Sequence, residues 1–162
     1  MKTIVTIILV LVFVVIIFQD FKYRAIHAFT LISISIAATI LNYLEPTLHF
    51  FDMLQSIGFL IITSIAFMTY QTIKHKKVQN PIDESIGLGD LLFFIAITPL
   101  FQVHQYALFF IVGLLVSAVL FMVSKLRLKE QTIPLAGYLS FLLIICFGLK
   151  MLNIVNPFFI EF

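Results

Sequence analysis

Charged residues are scarce in this chain of 162 residues: only 11% are Asp, Glu, Lys or Arg, whereas 62% are hydrophobic. A soluble domain is ordinarily about 25% charged and about 45–50% apolar. The polar side chains are too few to cover a water-facing surface, which argues against a soluble globular protein. A disordered chain would need low hydrophobicity and high charge. The surplus of apolar residues therefore indicates an integral membrane protein.

Cysteine is nearly absent, since Cys146 is the only one in the sequence. One cysteine cannot form an internal disulfide, and no Cys/His spacing is typical of a zinc site. We therefore expect no metal site. The net charge of +2 is small, and no dense Lys/Arg patch alternates with aromatic residues. We expect no nucleic-acid partner for that reason.

Long apolar runs predict membrane-spanning helices. A helix needs about 20 apolar residues to cross a bilayer core, with about 17 as the lower limit. Continuous runs, rather than alternating ten-residue segments, favour helices over a β-barrel. We predict an all-α polytopic membrane protein with six spans in a single domain over residues 1–162. The predicted spans are residues 3–19, 28–44, 53–70, 90–103, 106–124 and 133–151.

Basic residues in the loops predict the orientation of these spans. Loops one, three and five carry eight of the ten Lys and Arg residues: Lys22, Arg24, Lys74, Lys76, Lys77, Lys125, Arg127 and Lys129. Only Lys2 and Lys150 remain for the other side. Because cytoplasmic loops are enriched in Lys and Arg, we expect the odd loops in the cytoplasm and both termini on the extracytoplasmic side.

The ends of the spans carry two further expectations. The fourth and fifth spans are separated only by His104-Gln105, which predicts a tight turn there. Tyrosines at span ends are typical of an interfacial aromatic belt. Four tyrosines occupy such positions, namely Tyr23, Tyr43, Tyr70 and Tyr106.

Two of the eight acidic residues lie on span ends. Asp20 closes the first span and Asp90 opens the fourth, and the predicted orientation puts both on the cytoplasmic side. Ionisable groups near membrane depth are costly and are functional candidates. Paired carboxyl groups that share one proton are the machinery of aspartic proteolysis. Two carboxyl groups so close together do not both ionise readily, because their negative charges repel each other. The pair therefore predicts an acid–base site.

Each aspartate also has a simpler interpretation. Asp90 could cap the fourth helix, where a carboxylate satisfies free amides and interacts favourably with the helix dipole. Asp20 could be an interfacial charge paired with Lys22 or Arg24. The glycines of Gly87-Leu88-Gly89 favour the functional alternative, because glycine permits a positive φ and a close approach of another backbone, such as an extended substrate.

Three segments together resemble the short form of the type IV prepilin peptidases, which belong to the Gly-x-Gly-Asp intramembrane aspartyl proteases. They occur in the family's order, at the expected edges of the expected spans, and the resemblance extends over nearly the whole chain, from Asp20 to the end of the sixth span. The segments are Asp20-Phe21-Lys22-Tyr23-Arg24-Ala25-Ile26, Gly87-Leu88-Gly89-Asp90 and Ile133-Pro134-Leu135-Ala136-Gly137-Tyr138.

The resemblance implies an endopeptidase in the cytoplasmic membrane of a prokaryote. It would cleave the leader of prepilin-like or preflagellin-like precursors at the cytoplasmic face, with Asp20 and Asp90 as the catalytic pair. Lys22 and Arg24 match basic positions of the first motif, where they would stabilise an ionised Asp20. The other supporting positions of the motifs are Gly87, Gly89, Ile133 and Pro134. The resemblance implies no cofactor. No methyltransferase activity is expected, since the cysteine-rich extension of the larger enzymes is absent.

The chain departs from the family pattern at three positions. His27 and Gly137 stand where proline is common, and Leu92 stands where lysine is common. The missing lysine would leave Asp90 without a fixed positive charge nearby. The alternative is therefore an inactive relative or a non-enzymatic membrane assembly subunit. A transporter is a third hypothesis. It predicts an ionisable site near the bilayer midplane, whereas Asp20 and Asp90 both lie at span ends.

Overall fold

The computed structural model describes residues 1–44, 50–75, 87–125 and 133–152. Within these residues the chain forms six α-helices and one short 3₁₀ helix, Thr98–Leu100, and contains no β-strand. The all-helical prediction is thereby confirmed for the part of the chain that is described. The α-helices are α1 (Lys2–Tyr23), α2 (Ala28–Leu44), α3 (Phe50–His75), α4 (Leu88–Ala96), α5 (Val103–Lys125) and α6 (Leu135–Met151).

Three helical segments are long and apolar enough to cross a membrane, namely Lys2–Tyr23, Phe50–Tyr70 and Val103–Val123. α2 and α6 have 17 residues each, which is the lower limit for a span. The apolar segment Leu88–Leu100 is shorter. It is about 20 Å long at helical rise, against a bilayer core of about 30 Å. These helices suggest membrane association, and the count of six spans remains a prediction.

Pro99 explains why the fourth helix is short. Proline has no N–H and disfavours helical backbone at the residue before it. α4 accordingly ends at Ala96, and the chain continues as the 3₁₀ helix, where the Thr98 hydroxyl donates to the Ile95 carbonyl at 2.9 Å. α5 begins at Val103, so the turn predicted at His104-Gln105 lies earlier, and that prediction is wrong.

The sequence prediction also misplaces Tyr106, because α5 begins earlier than the predicted fifth span. This tyrosine lies inside α5 rather than at a span end, and it is fully buried. Its hydroxyl donates to the Phe94 carbonyl at 3.1 Å, which ties the end of α4 to the start of α5. The other three tyrosines of the predicted belt are exposed: Tyr23, Tyr43 and Tyr70.

The core includes the region where α1, α4 and α6 meet. Phe13 of α1 is fully buried, and its ring centre lies 6.4 Å from that of Phe93 in α4 and 6.2 Å from that of Phe147 in α6. Asp20, near the end of α1, contacts Gly137, near the start of α6. α1 and α6 are therefore antiparallel, and the C-terminal end of α1 lies beside the N-terminal end of α6.

The first helix continues about one turn beyond the predicted span 3–19. Arg24 ends it in a left-handed conformation with φ 53°, and its N–H donates to the Asp20 carbonyl at 3.1 Å. Lys22 is therefore a helical residue rather than a loop residue. Its ammonium lies about 5 Å from the ring centres of Phe18 and Tyr23, at 5.1 Å and 5.0 Å respectively.

The charge pattern behind the predicted orientation is described only in part. Lys2 begins α1 and Lys150 lies in the last turn of α6, so both lie at the end of the bundle opposite Asp20. The central basic residues of the third and fifth loops lie outside the described residues: Lys76, Lys77, Arg127 and Lys129.

Candidate active site

The two predicted aspartates meet at the first turn of α6. Asp20, only 6% exposed, accepts a hydrogen bond at its Oδ2 from the Gly137 N–H at 2.6 Å. Asp90, in the first turn of α4 and half-buried, accepts one at its Oδ1 from the Ala136 N–H at 3.1 Å. Side chains from two different helices are therefore held by consecutive backbone amides of a third.

This arrangement bounds the distance between the two carboxylates. Standard backbone geometry and the two hydrogen-bond lengths place the accepting oxygens of Asp20 and Asp90 within about 10 Å of each other. At this range and in these partly buried positions the two negative charges repel each other. The repulsion disfavours the state in which both are ionised, and it favours one proton shared by the pair.

The start of α6 explains why carboxylates collect there. The first amides of a helix have no partner inside the helix, and the N-cap residue, Pro134, makes no side-chain cap hydrogen bond. Asp90 and Asp20 bond the second and third helical amides, which a local cap usually serves. The helix dipole adds a favourable field for negative charge. Pro134 is fully buried beside this turn, whereas Ile133 is half exposed.

Gly137 is required by the packing at this point. A methyl group at position 137 would lie 2.9 Å from two ring carbons of Phe21 and 3.2 Å from Oδ2 of Asp20. The Phe21 ring packs edge-on against Tyr138, with the ring centres 5.2 Å apart. The absence of a side chain therefore lets α1 approach α6 closely enough for the Asp20 hydrogen bond.

The two glycines before Asp90 act differently from the expectation. Gly87 has φ −63°, and no glycine in the described ranges has a positive φ, so the expectation of a positive φ is wrong. A methyl group on Gly87 would lie 3.2 Å from Oδ2 of Asp90, so Gly87 leaves room for the carboxylate. One on Gly89 would lie 3.6 Å from Cδ1 of Ile26, an ordinary contact. Gly89 thus faces a side chain of the first motif.

The basic residues of the first motif lie differently with respect to Asp20. Asp20 is buried, and the pairing with Arg24 that its simpler interpretation expects is present as an electrostatic attraction. The Lys22 ammonium lies over aromatic rings. Arg24 is half-buried, and its positive charge attracts the negative charge of the Asp20 carboxylate. The structure therefore supports an electrostatic role for Arg24 more directly than one for Lys22.

Two departures from the family pattern share one physical consequence. Proline has no N–H, whereas His27 and Gly137, which stand where the family commonly has proline, both use theirs. The His27 N–H donates to Oε1 of Gln19 at 3.2 Å, and the Gly137 N–H donates to Asp20.

The third departure, Leu92, lies two residues after Asp90 on α4. Residues two apart on a helix do not face each other, so a lysine there would not be aimed at Asp90.

Several contributors to the site carry no signal in the sequence. Ala136 acts through its backbone amide, which every residue except proline possesses. Gln19 precedes the first motif, and no chemistry of the motif points to it. Among the described residues, no group of three His, Cys, Asp or Glu side chains could hold a metal ion.

No protein-family model, curated protein or solved structure matches the chain.

Proposed function

We propose that this chain is a membrane aspartyl endopeptidase of the prepilin-peptidase type, with Asp20 and Asp90 as its catalytic pair. The observation that supports the proposal is the meeting of the two carboxylates on consecutive amides of α6. Three segments that are far apart in the sequence supply this arrangement. They are the same three segments that resemble the motifs of the family.

The pair has the parts that peptide hydrolysis by water requires. One carboxylate, ionised, takes a proton from water as the water oxygen adds to the scissile carbonyl carbon. The other, protonated, donates to the carbonyl oxygen. As the tetrahedral intermediate collapses, the C–N bond breaks, the leaving nitrogen takes a proton from the first aspartate, and the hydroxyl formed from the carbonyl oxygen returns its proton to the second aspartate. We assign the ionised state, and with it the role of base, to Asp20, because Arg24 attracts its negative charge and its amide hydrogen bond of 2.6 Å is shorter than the 3.1 Å bond of Asp90.

The exposure of the two groups suggests how a substrate arrives. Asp20 is buried, whereas Asp90 is only half-buried. A peptide bond therefore approaches from the Asp90 side. The precursor would place its apolar helix among the spans of the enzyme while its basic leader remains in water. Helices associate within a bilayer mainly through van der Waals packing.

The orientation of the site follows from the charge pattern. We place it at the cytoplasmic face of a prokaryotic cytoplasmic membrane, with six spans and both termini outside. Lys22 and Arg24 lie at the site's end of the bundle, and Lys2 and Lys150 lie at the other. The excess of basic residues in the odd loops supports the same orientation.

Cleavage of a candidate precursor in membranes tests the proposal. The native protein should release the leader, and Asp20→Asn and Asp90→Asn should not, because asparagine keeps an acceptor oxygen for the α6 amides but cannot act as the base. Asp52→Asn, which changes an acidic residue in the first turn of α3, is the matched control and should cleave normally. Normal cleavage by both test variants would overturn the proposal.

A structural role for the pair is the second candidate. The aspartates satisfy the first turn of α6 as capping groups do, which is the arrangement an inactive relative or an assembly subunit would keep. In that case both asparagine variants would fold and assemble like the native protein, and the native protein would cleave no precursor.

A further inference from the structure

Gln19, the residue before Asp20, bridges α1 and α2. Its Oε1 accepts a hydrogen bond from the His27 N–H at 3.2 Å. The Thr30 hydroxyl lies 3.3 Å from the same oxygen and 2.6 Å from the His27 carbonyl. The Gln19 side chain is half-buried. One side-chain oxygen of α1 is therefore engaged by His27, which directly precedes α2, and by Thr30 in the first turn of α2.

These contacts complete the start of α2 from outside that helix. In a capping box, a side chain three residues into the helix accepts the N–H of the N-cap residue. Here the residue at that place, Thr30, turns its hydroxyl to the His27 carbonyl, and Gln19 accepts the His27 N–H instead. The turn between α1 and α2 is consequently fixed to the last turn of α1, where Asp20 lies.

The same turn reaches the second aspartate through Ile26. A methyl group built on Gly89 would lie 3.6 Å from Cδ1 and 3.9 Å from Cβ of Ile26, so the Ile26 side chain lies against the first turn of α4. Asp90 is the next residue. A chain of contacts thus runs from Gln19 to His27, from the turn to Ile26, and from Ile26 to the backbone that carries Asp90.

We propose that Gln19 is a positioning residue, which holds the turn at residues 24–27 so that Ile26 keeps the first turn of α4, and with it Asp90, in register with Asp20. As a positioning role in catalysis it rests on the proposed function. The contacts that carry it are the Gln19–His27 hydrogen bond and the Ile26–Gly89 packing. A misplacement of about 1 Å in a catalytic group can lower a rate about 100-fold.

A disulfide reports on this geometry without any assay of proteolysis. The 3.9 Å between Cβ of Ile26 and the position of a Cβ on Gly89 matches the separation of the two Cβ atoms in a disulfide, about 3.5–4.5 Å. Ile26→Cys and Gly89→Cys are combined in a Cys146→Ala background, and the rate of disulfide formation under mild oxidation is measured in membranes. Gln19→Met should slow it several-fold, and Gln19→Glu, which keeps an acceptor oxygen, should largely restore it.

The second part of the experiment measures cleavage kinetics in chains that lack the two introduced cysteines. Gln19→Met should lower kcat about 10-fold or more at a nearly unchanged KM, and Gln19→Glu should recover much of that loss. Thr30→Val should cause a smaller loss. Thr39→Val is the matched control on the same helix, because the Thr39 hydroxyl bonds the Ser35 carbonyl within α2.

The two readouts separate the two proposals. Equal rates of disulfide formation with Gln19, Met and Glu at position 19 would overturn the positioning role, whatever the protease assay shows. A slower rate for Gln19→Met, in a chain that cleaves no precursor, would support the structural contact and overturn both the proposed function and the catalytic part of this inference. A lower kcat for Gln19→Met that Gln19→Glu does not recover would also overturn it.

Discussion

The carboxylate of Asp20 accepts a 2.6 Å hydrogen bond from the backbone of Gly137, a residue 117 positions later in the chain. Ala136, the residue before Gly137, donates in the same way to Asp90 at 3.1 Å. The backbone amides of Ala136 and Gly137 thus fix two acids from α1 and α4. The backbone amides hold the two carboxyl groups in place, and these carboxyl groups remain available for chemistry.

Gly137→Ala should lower the cleavage rate, by about 10- to 100-fold. The added methyl group would lie 2.9 Å from the Phe21 ring and 3.2 Å from Oδ2 of Asp20, so either the ring or the carboxylate has to move. Initial cleavage rates in membranes measure the effect. Gly148→Ala is the control on the same helix, since nothing lies within 4 Å of its added methyl group. Equal rates for the two variants would contradict the packing described for Gly137.

The two motif glycines should differ in their tolerance of a methyl group. Gly87→Ala places one 3.2 Å from Oδ2 of Asp90 and should reduce kcat more than Gly89→Ala, whose methyl group meets Ile26 at an ordinary distance. Steady-state kinetics of both variants provide the comparison. Gly58→Ala, in open space on α3, sets the baseline. A larger loss for Gly89→Ala would show that this glycine serves something other than the packing against Ile26.

The pH dependence of cleavage should be bell-shaped. At low pH both carboxyl groups are protonated and no base remains, whereas at high pH both are ionised and neither can donate to the carbonyl oxygen. The rate therefore falls on both sides of the pH range in which Asp20 and Asp90 together hold one proton. Initial rates across pH, normalised to intact enzyme, provide the measurement. A rate that keeps rising with pH until the protein unfolds would argue against a shared proton.

Phe13→Ala should lower the free energy of unfolding by about 3 kcal/mol. The ring of Phe13 is fully buried between Phe93 and Phe147, so its removal leaves a cavity where three helices meet. Unfolding of the purified protein by SDS in mixed micelles measures the loss. Phe29→Ala, which removes a ring that is 83% exposed, should change stability by less than about 0.5 kcal/mol. Similar losses for both variants would contradict the position assigned to the core.

Much of the helical layout can be predicted from the sequence. The predicted span 28–44 coincides with α2, and apolar runs reveal α1, α3, α5 and α6 to within a few residues at most of their ends. The errors are local. Helical geometry carries α1 past Asp20 because nothing in residues 20–23 breaks a helix, and the effect of Pro99 moves the turn before α5 to an earlier position.

The candidate site is only half predictable. Asp20 and Asp90 can be identified because charge is rare in this chain and both fall at span ends. Their partners cannot be, because Ala136 and Gly137 act through backbone amides that have no residue signature. Gln19 cannot be identified from the sequence either, for a different reason. Its role depends on the path of a turn, which residue types alone do not define.

The most direct test of the central claim compares the two single asparagine variants with the double variant. If Asp20 and Asp90 act as one unit on one peptide bond, each single change removes the whole function of the pair. Under single-turnover conditions in membranes, with excess enzyme and a labelled precursor, Asp20→Asn and Asp90→Asn should each slow leader release by about a thousandfold or more. The combination of both changes should slow it no further. A single variant that releases the leader at the native rate would contradict the claim.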